Sequence, residues 1–108
     1  MPGPVRGMEI MPFRGGPPLA AAECYVARFR PDVRVPEHRH LGPELIAVLD
    51  GGFVEDGGED YAAGSTLLKL PGSSHAFTCE SSGCVAAFAL FGGVAVEGHG
   101  TVPVFRKP

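Results

Sequence analysis

Glycine and proline punctuate this chain so closely that no uninterrupted amphipathic stretch of helical length survives: sixteen glycines and eleven prolines fall within 108 residues. Glycine pays a high entropic cost inside a regular element, and proline removes a backbone donor. What lies between them is a series of short apolar runs rich in Val, Leu, Phe and Ala, bounded by Gly, Pro, Asp and Ser. That pattern predicts strands and turns, hence an all-β sandwich or small antiparallel barrel. The length suits one domain with a single core. A 44% hydrophobic and 19% charged composition fits a globular chain.

Charge and targeting signals narrow the partners. The formal net charge is -3 and no Lys/Arg block is present, which argues against nucleic acid or an anionic membrane as partner. The first residues, "MPGPVRGMEIMPFRGGPPLAAAEC", are interrupted by Arg6, Glu9, Arg14 and Gly/Pro clusters, so neither a signal peptide nor a membrane span is predicted. Three cysteines, an odd number, suit a reducing compartment better than a disulfide framework. The expected location is the cytoplasm.

Residues 1–20 read as an irregular arm, with an edge strand at "VRGMEIM", and residues 21–108 as the barrel. Within the barrel, "AAECYVARFR" suits a strand, Pro31-Asp32 a turn, and "VRVPEHRH" an extended segment. "ELIAVLD" reads as a strand closed by Gly51-Gly52, and Asp56-Gly57 as a hairpin turn. "STLLKL" and "PGSS" follow, and "HAFTC" is expected to pair through "ESSG" with "CVAAFALF". "VAVEG" and "TVPVFR" close the count at about eight short strands.

A strand with one face in water alternates apolar and polar residues. In "ELIAVL", Ile46 and Val48 share one face while Leu45, Ala47 and Leu49 share the other, so both faces are largely apolar. Either the N-terminal arm or a second sheet covers the outer face, or two copies pack sheet against sheet. The homodimer is the preferred expectation.

The chemistry concentrates in "EHRHLGPE", residues 37–44. Residues two apart on a strand share a face, so His38 and His40 project together and Arg39 away. Glu44 follows the Gly42-Pro43 bend, on a strand expected to return beside the first and aim its carboxylate at the imidazoles. Imidazoles with a carboxylate suit Zn, Fe, Mn, Ni or Co. His75, after the "LPGSS" turn, is the candidate fourth ligand.

These spacings resemble the two cupin motifs. His38, His40, Glu44 and Gly51 meet the first, which is His-x-His, three residues, Glu, six residues, Gly. Gly64, Gly72 and His75 meet the second, with Leu70 where that motif has Pro, Pro71 beside it, and Cys79 where it has Asn. The stretch "LPGSSHAFTCESSGC" is similar to the cupin domain of ChrR-type anti-sigma factors and their stand-alone relatives. The resemblance implies a jelly-roll barrel holding one divalent metal ion at its mouth through His38, His40, Glu44 and His75. It also implies a small-molecule ligand or substrate.

Other residues read more plainly. His99 matches no motif spacing and is expected in a solvated loop. Cys79 and Cys84 flank "ESSG" and could face each other as reduced thiols, with a redox role as the lesser reading. Cys24, Phe29, Phe53 and Phe88 read as core. Phe77, two residues past His75, is the candidate pocket wall, and Tyr25 and Tyr61 could offer hydroxyls to a ligand.

Three functions fit this pattern. A metal with open positions could support a dioxygenase acting on a small diketone or hydroxyketone, or an isomerase or lyase. A cupin without catalysis could sense a ligand or oxidant. A closed zinc site could simply staple the barrel. The helical domain that grips a sigma factor in ChrR-type proteins has no counterpart in these residues, so anti-sigma activity is not carried over.

Overall fold

The computed structural model describes residues 1–14, 22–97 and 100–102. Its strands are β1 (Met8–Phe13), β2 (Glu23–Phe29), β3 (Arg34–His40), β4 (Glu44–Glu55), β5 (Asp60–Ala62), β6 (Thr66–Lys69), β7 (Ser74–Leu90), β8 (Val94–Val96) and β9 (Gly100–Val102). All pairing is antiparallel, and no helix occurs among the described residues. The fold is therefore all-β, as the glycine and proline spacing predicts. The sheet curls into a half-barrel.

β7 is the axis of that curl. One of its edges pairs with β4 along most of its length. On the other edge, its first half pairs with β3 and its second half with β2. The change of neighbour falls at "ESSG", residues 80–83, where the β4–β7 register also slips. This corrects the hairpin expected there: Cys79 and Cys84 lie on one continuous strand, on either side of a bulge. A bulge absorbs extra residues and sharpens local twist, and Gly83 supplies the positive φ of 83°.

Two further expectations are revised. β4 runs through Gly51-Gly52 to Glu55 instead of closing there, because Gly51, at φ 65°, lets the strand pass close to Gly83. β3 and β4 do not pair; the Leu41–Pro43 connection carries the chain from β7's N-terminal half to its C-terminal half. The expected hairpin after β4 is present, with Gly58 N–H donating to the Glu55 carbonyl at 2.8 Å. β1, placed within the arm, pairs along its whole length with β2 at the sheet edge.

The inner face carries the core. Phe29, Phe53, Phe77 and Phe88 are all buried there with Ile46, Val48 and Ala86. Phe29 meets Phe77 and Phe88 edge-on, and Tyr25 stacks on Phe88 with ring centres 4.9 Å apart. Cys24, Cys79 and Cys84 are buried and unbridged. Cys79 shares a hydrogen bond with Cys84, which together with burial pushes its thiol up.

The outer face is apolar as well. Phe13, Cys24, Ala89, Leu45 and Leu68 form one row across five register-paired strands. Leu45 is 48% exposed and Leu68 56%. The β1 part of the arm lies beside β2 at the edge, so among the described residues it does not cover this row. His99 and "PVFR" of the last expected strand lie outside the described residues.

Candidate metal centre

The site is assembled by strand register. His38 on β3 stands directly opposite His75 on β7. The β3–β7 register slips between Val35 and His38, across Pro36, which has no N–H to give to a ladder. Without that slip Val35 and His38, three apart, would face opposite sides. With it, Val35 packs in the core and His38 and His40 still face inward together. The "PGSS" turn then docks on His40: its N–H donates to the Ser73 carbonyl and its carbonyl accepts from Gly72 N–H, each at 2.8 Å. Gly72 makes the turn at φ 84°.

The three imidazoles converge. Ring centres lie 4.5 Å apart for His38 and His75, 4.9 Å for His40 and His75, and 5.1 Å for His38 and His40. One nitrogen from each lies within 4.8 Å of the other two. The other nitrogens show which ones converge. His38 Nδ1 donates to the Pro36 carbonyl at 2.9 Å and His40 Nδ1 to the Ser73 carbonyl at 3.2 Å. His75 Nδ1 donates to the Glu55 carboxylate. A carbonyl or carboxylate can only accept, so each Nδ1 holds a proton, and Nε2 of His38 and of His75 keeps its lone pair. Ligating histidines are held in this way, with the far nitrogen donating to a carbonyl or carboxylate.

Glu44, at the start of β4, meets one of the three rings. Its Oε1 lies 2.9 Å from His40 Nε2. His40 is fully buried and Glu44 nearly so. A carboxylate and a lone-pair nitrogen at that distance need a cation between them, whether a proton or a metal ion. His75 Nε2 is buried with no hydrogen-bond partner, a costly state for a polar atom unless an ion takes the lone pair. The donor set therefore fits a divalent metal.

Burial sets the protonation. It pushes His75 down to about 4 and His38 below its ordinary value. Both are neutral near pH 7, the form a metal requires. The sign of the linkage follows: the folded pKa lies below the unfolded value of 6.5, so the unfolded chain takes up protons first as pH falls. The stability tied to neutral His75 is complete above 6.5 and lost as pH falls toward about 4. Thermal melts of the metal-free protein should show Tm dropping across this window. A flat Tm from pH 7 to 4.5 would contradict the burial of these rings.

Glu55 and Lys69 were not found from the sequence. Lys69 Nζ donates to Glu55 Oε1 at 2.8 Å while the other oxygen accepts from His75. Burial opposes the charge on Glu55, but the hydrogen bonds from Lys69 and His75 outweigh it and hold the carboxyl below its usual range. Only the lone lysine in the apolar run "TLLKL" hints at an inward charge.

A cavity of about 320 Å³ opens beside the cluster, lined in part by His38, Glu44, Tyr25 and Phe77. Tyr25 is buried, and burial with the nearby Glu44 and Glu23 carboxylates raises its pKa well above normal, so its hydroxyl keeps its proton. Tyr61 turns its hydroxyl to Glu59 instead and does not line this cavity.

The profile of the ChrR cupin-like domain matches residues 1–92. The chain belongs to the ChrR cupin-like family. Among solved structures, this cupin resembles a protein of unknown function with a cupin-like fold from Ralstonia eutropha, at 25% identity and a TM-score of 0.73, over 88% of this chain and 62% of that one. It also resembles Rhodobacter sphaeroides ChrR, seen in complex with SigE, at 25% identity and a TM-score of 0.61, over 77% of this chain and 42% of that chain. The chain thus spans less than two thirds of the length of either. An acetylacetone dioxygenase from Acinetobacter johnsonii shares the fold at 14% identity and a TM-score of 0.72, over 92% of this chain and 70% of that one. No curated protein matches the cupin by sequence.

Proposed function

We propose that this cupin binds one divalent metal ion through His38, His40, Glu44 and His75, and acts through it on a small molecule held in the adjoining cavity. The carrying observation is the convergence of His38, His40 and His75, one of them with a buried, unpartnered Nε2, beside a carboxylate that meets His40. When bound, such an ion supplies Lewis acidity and, if it is iron, manganese or nickel, positions for a chelating ligand and O2. The chain's own part is to hold His38 and His75 neutral, to fix the three imidazoles through Pro36, Ser73 and Glu55, and to keep water out with Phe77, Phe88 and Tyr25. We read the reaction as a dioxygenase step on a small diketone or hydroxyketone. The shared fold with acetylacetone dioxygenase supports that choice.

A second reading, ligand or oxidant sensing, draws support from membership in the ChrR cupin-like family. A structural zinc is the third. The three unbridged cysteines favour a cytoplasmic location, with residues 1–20 as an arm on a barrel formed by 21–108. Elemental analysis of protein purified without added metal or affinity nickel separates the functions. About one equivalent of iron, manganese or nickel, with O2 uptake on acetylacetone, is the expected result. One equivalent of tightly held zinc and no turnover would move the weight to sensing or stapling. Failure to bind any metal after reconstitution would overturn the metal reading.

We also propose that the apolar outer row pairs two copies face to face. Phe13, Leu45 and Leu68 stand exposed in this row, with Cys24 between them already buried, and two such sheets pack face to face at a spacing of about 10 Å. Light scattering at micromolar concentration should give twice the 11.3 kDa chain mass; a monomer would reject the dimer.

A further inference from the structure

The cavity beside the metal centre is built for an uncharged ligand body. Fourteen residues line it, and only Tyr25, His38 and Glu44 among them carry a polar side chain. His38 belongs to the histidine cluster and Glu44 meets His40, which marks the metal-side end, and Tyr25 lies flat against Phe88 in the wall. The rest of the wall is apolar, and no lysine or arginine lines it. A charged group placed away from the metal would therefore be buried without a partner, which costs several kcal/mol. A sugar would strand its hydroxyls in the same way. A volume of about 320 Å³ is at the lower end for small-molecule pockets, roughly 300–1,000 Å³. It suits a body of one or two rings.

The N-terminal arm supplies one wall. Pro4, Val5 and Met8 line the cavity. The arm is tied down by the Met1 amino group, which donates to the Ile10 carbonyl at 3.0 Å, and by Gly3 N–H, which donates to the Met8 carbonyl at 2.9 Å. Val5 is only partly buried and Met8 is 7% exposed, so Val5 is the side chain with room to be enlarged.

We propose that this pocket takes a ligand with an uncharged, mainly apolar body and one oxygen-donor head for the metal, and that Val5 limits the size of that body. This rests on the metal reading above and goes further, to ligand class and its gatekeeping residue.

Calorimetry on the zinc-loaded protein tests it with three ligands that share one β-diketone head. These are acetylacetone, benzoylacetone, and benzoylacetone bearing a para-carboxylate. Benzoylacetone should bind at least about tenfold more tightly than acetylacetone, because its ring buries extra apolar surface. The carboxylate should weaken binding at least about tenfold relative to benzoylacetone. Val5→Trp, checked for zinc content and folding, should bring the benzoylacetone-to-acetylacetone affinity ratio close to one. Equal binding of the charged and uncharged aryl ligands would overturn the uncharged-body claim. An unchanged ratio in Val5→Trp would overturn the role of Val5. If none of the three ligands binds zinc-loaded protein, the proposal falls while the metal reading stands. If zinc itself does not bind, the metal reading fails first.

Discussion

His75→Ala and His38→Ala each leave the purified protein with less than a tenth of the metal of the parent chain. In both variants a neutral, pre-aimed Nε2 is removed from a buried cluster. Alanine cannot replace it, and water admitted to the gap restores no strong donor. His75 carries the clearest case, since its Nε2 is buried and has no protein partner. Glu55→Ala keeps all four donors but frees the His75 ring to turn, so its affinity falls by about 10–100-fold, the usual range for groups that orient a ligand. Arg39→Ala, one residue from two of the ligands but exposed, keeps the full metal content. Metal analysis after dialysis against a mild chelator ranks the four. Full occupancy in His38→Ala or His75→Ala would sink the four-residue site.

Gly51→Ala prevents the protein from folding, or lowers its stability by more than about 4 kcal/mol, a loss large enough to mark a specific structural fault. Two causes add. Gly51 has φ of 65°, where a side chain is strained. A Cβ there would also stand 2.0 Å from the Gly83 carbonyl oxygen. That obstacle is backbone, held in the β7 bulge at its own left-handed φ, so it cannot rotate away as a side chain would. Gly57→Ala, where a Cβ would meet nothing within 4 Å, is the matched control and should change Tm little. Soluble yield and urea melts decide the comparison. A stable Gly51→Ala protein would mean that β4 and β7 are not so closely apposed.

Much of this architecture could be read from local chemistry. Breaks between short apolar runs excluded helices, and fixed spacings singled out His38, His40 and His75, which the fold brings together, and Glu44, which meets His40. What escaped reading has a common cause: long-range pairing overrode local turn signals. "ESSG" has the composition of a tight turn, yet β4 holds β7 extended on both sides of it. Gly51-Gly52 has the look of a strand end, yet its freedom is used for close strand approach. The inward run of Val35, His38 and His40 breaks strict alternation, and only the bulge at Pro36 explains it. Glu55 and Lys69 carry no motif, because their pairing depends on which strands become neighbours.

The position of β7 also dictates an order of events during synthesis. β2, β3 and β4 all rely on residues 74–90 for sheet hydrogen bonds. While a ribosome is still making the first seventy residues, only sequence neighbours can zip together: β1 with β2, and β4 with β5 and β6. Apolar segments such as "ELIAVL" must wait with the edge that β7 will take left unpaired. Such waiting strands are prone to pair with the wrong chain. For this protein, the hazardous interval in the cell lies between the emergence of β4 and that of Leu90.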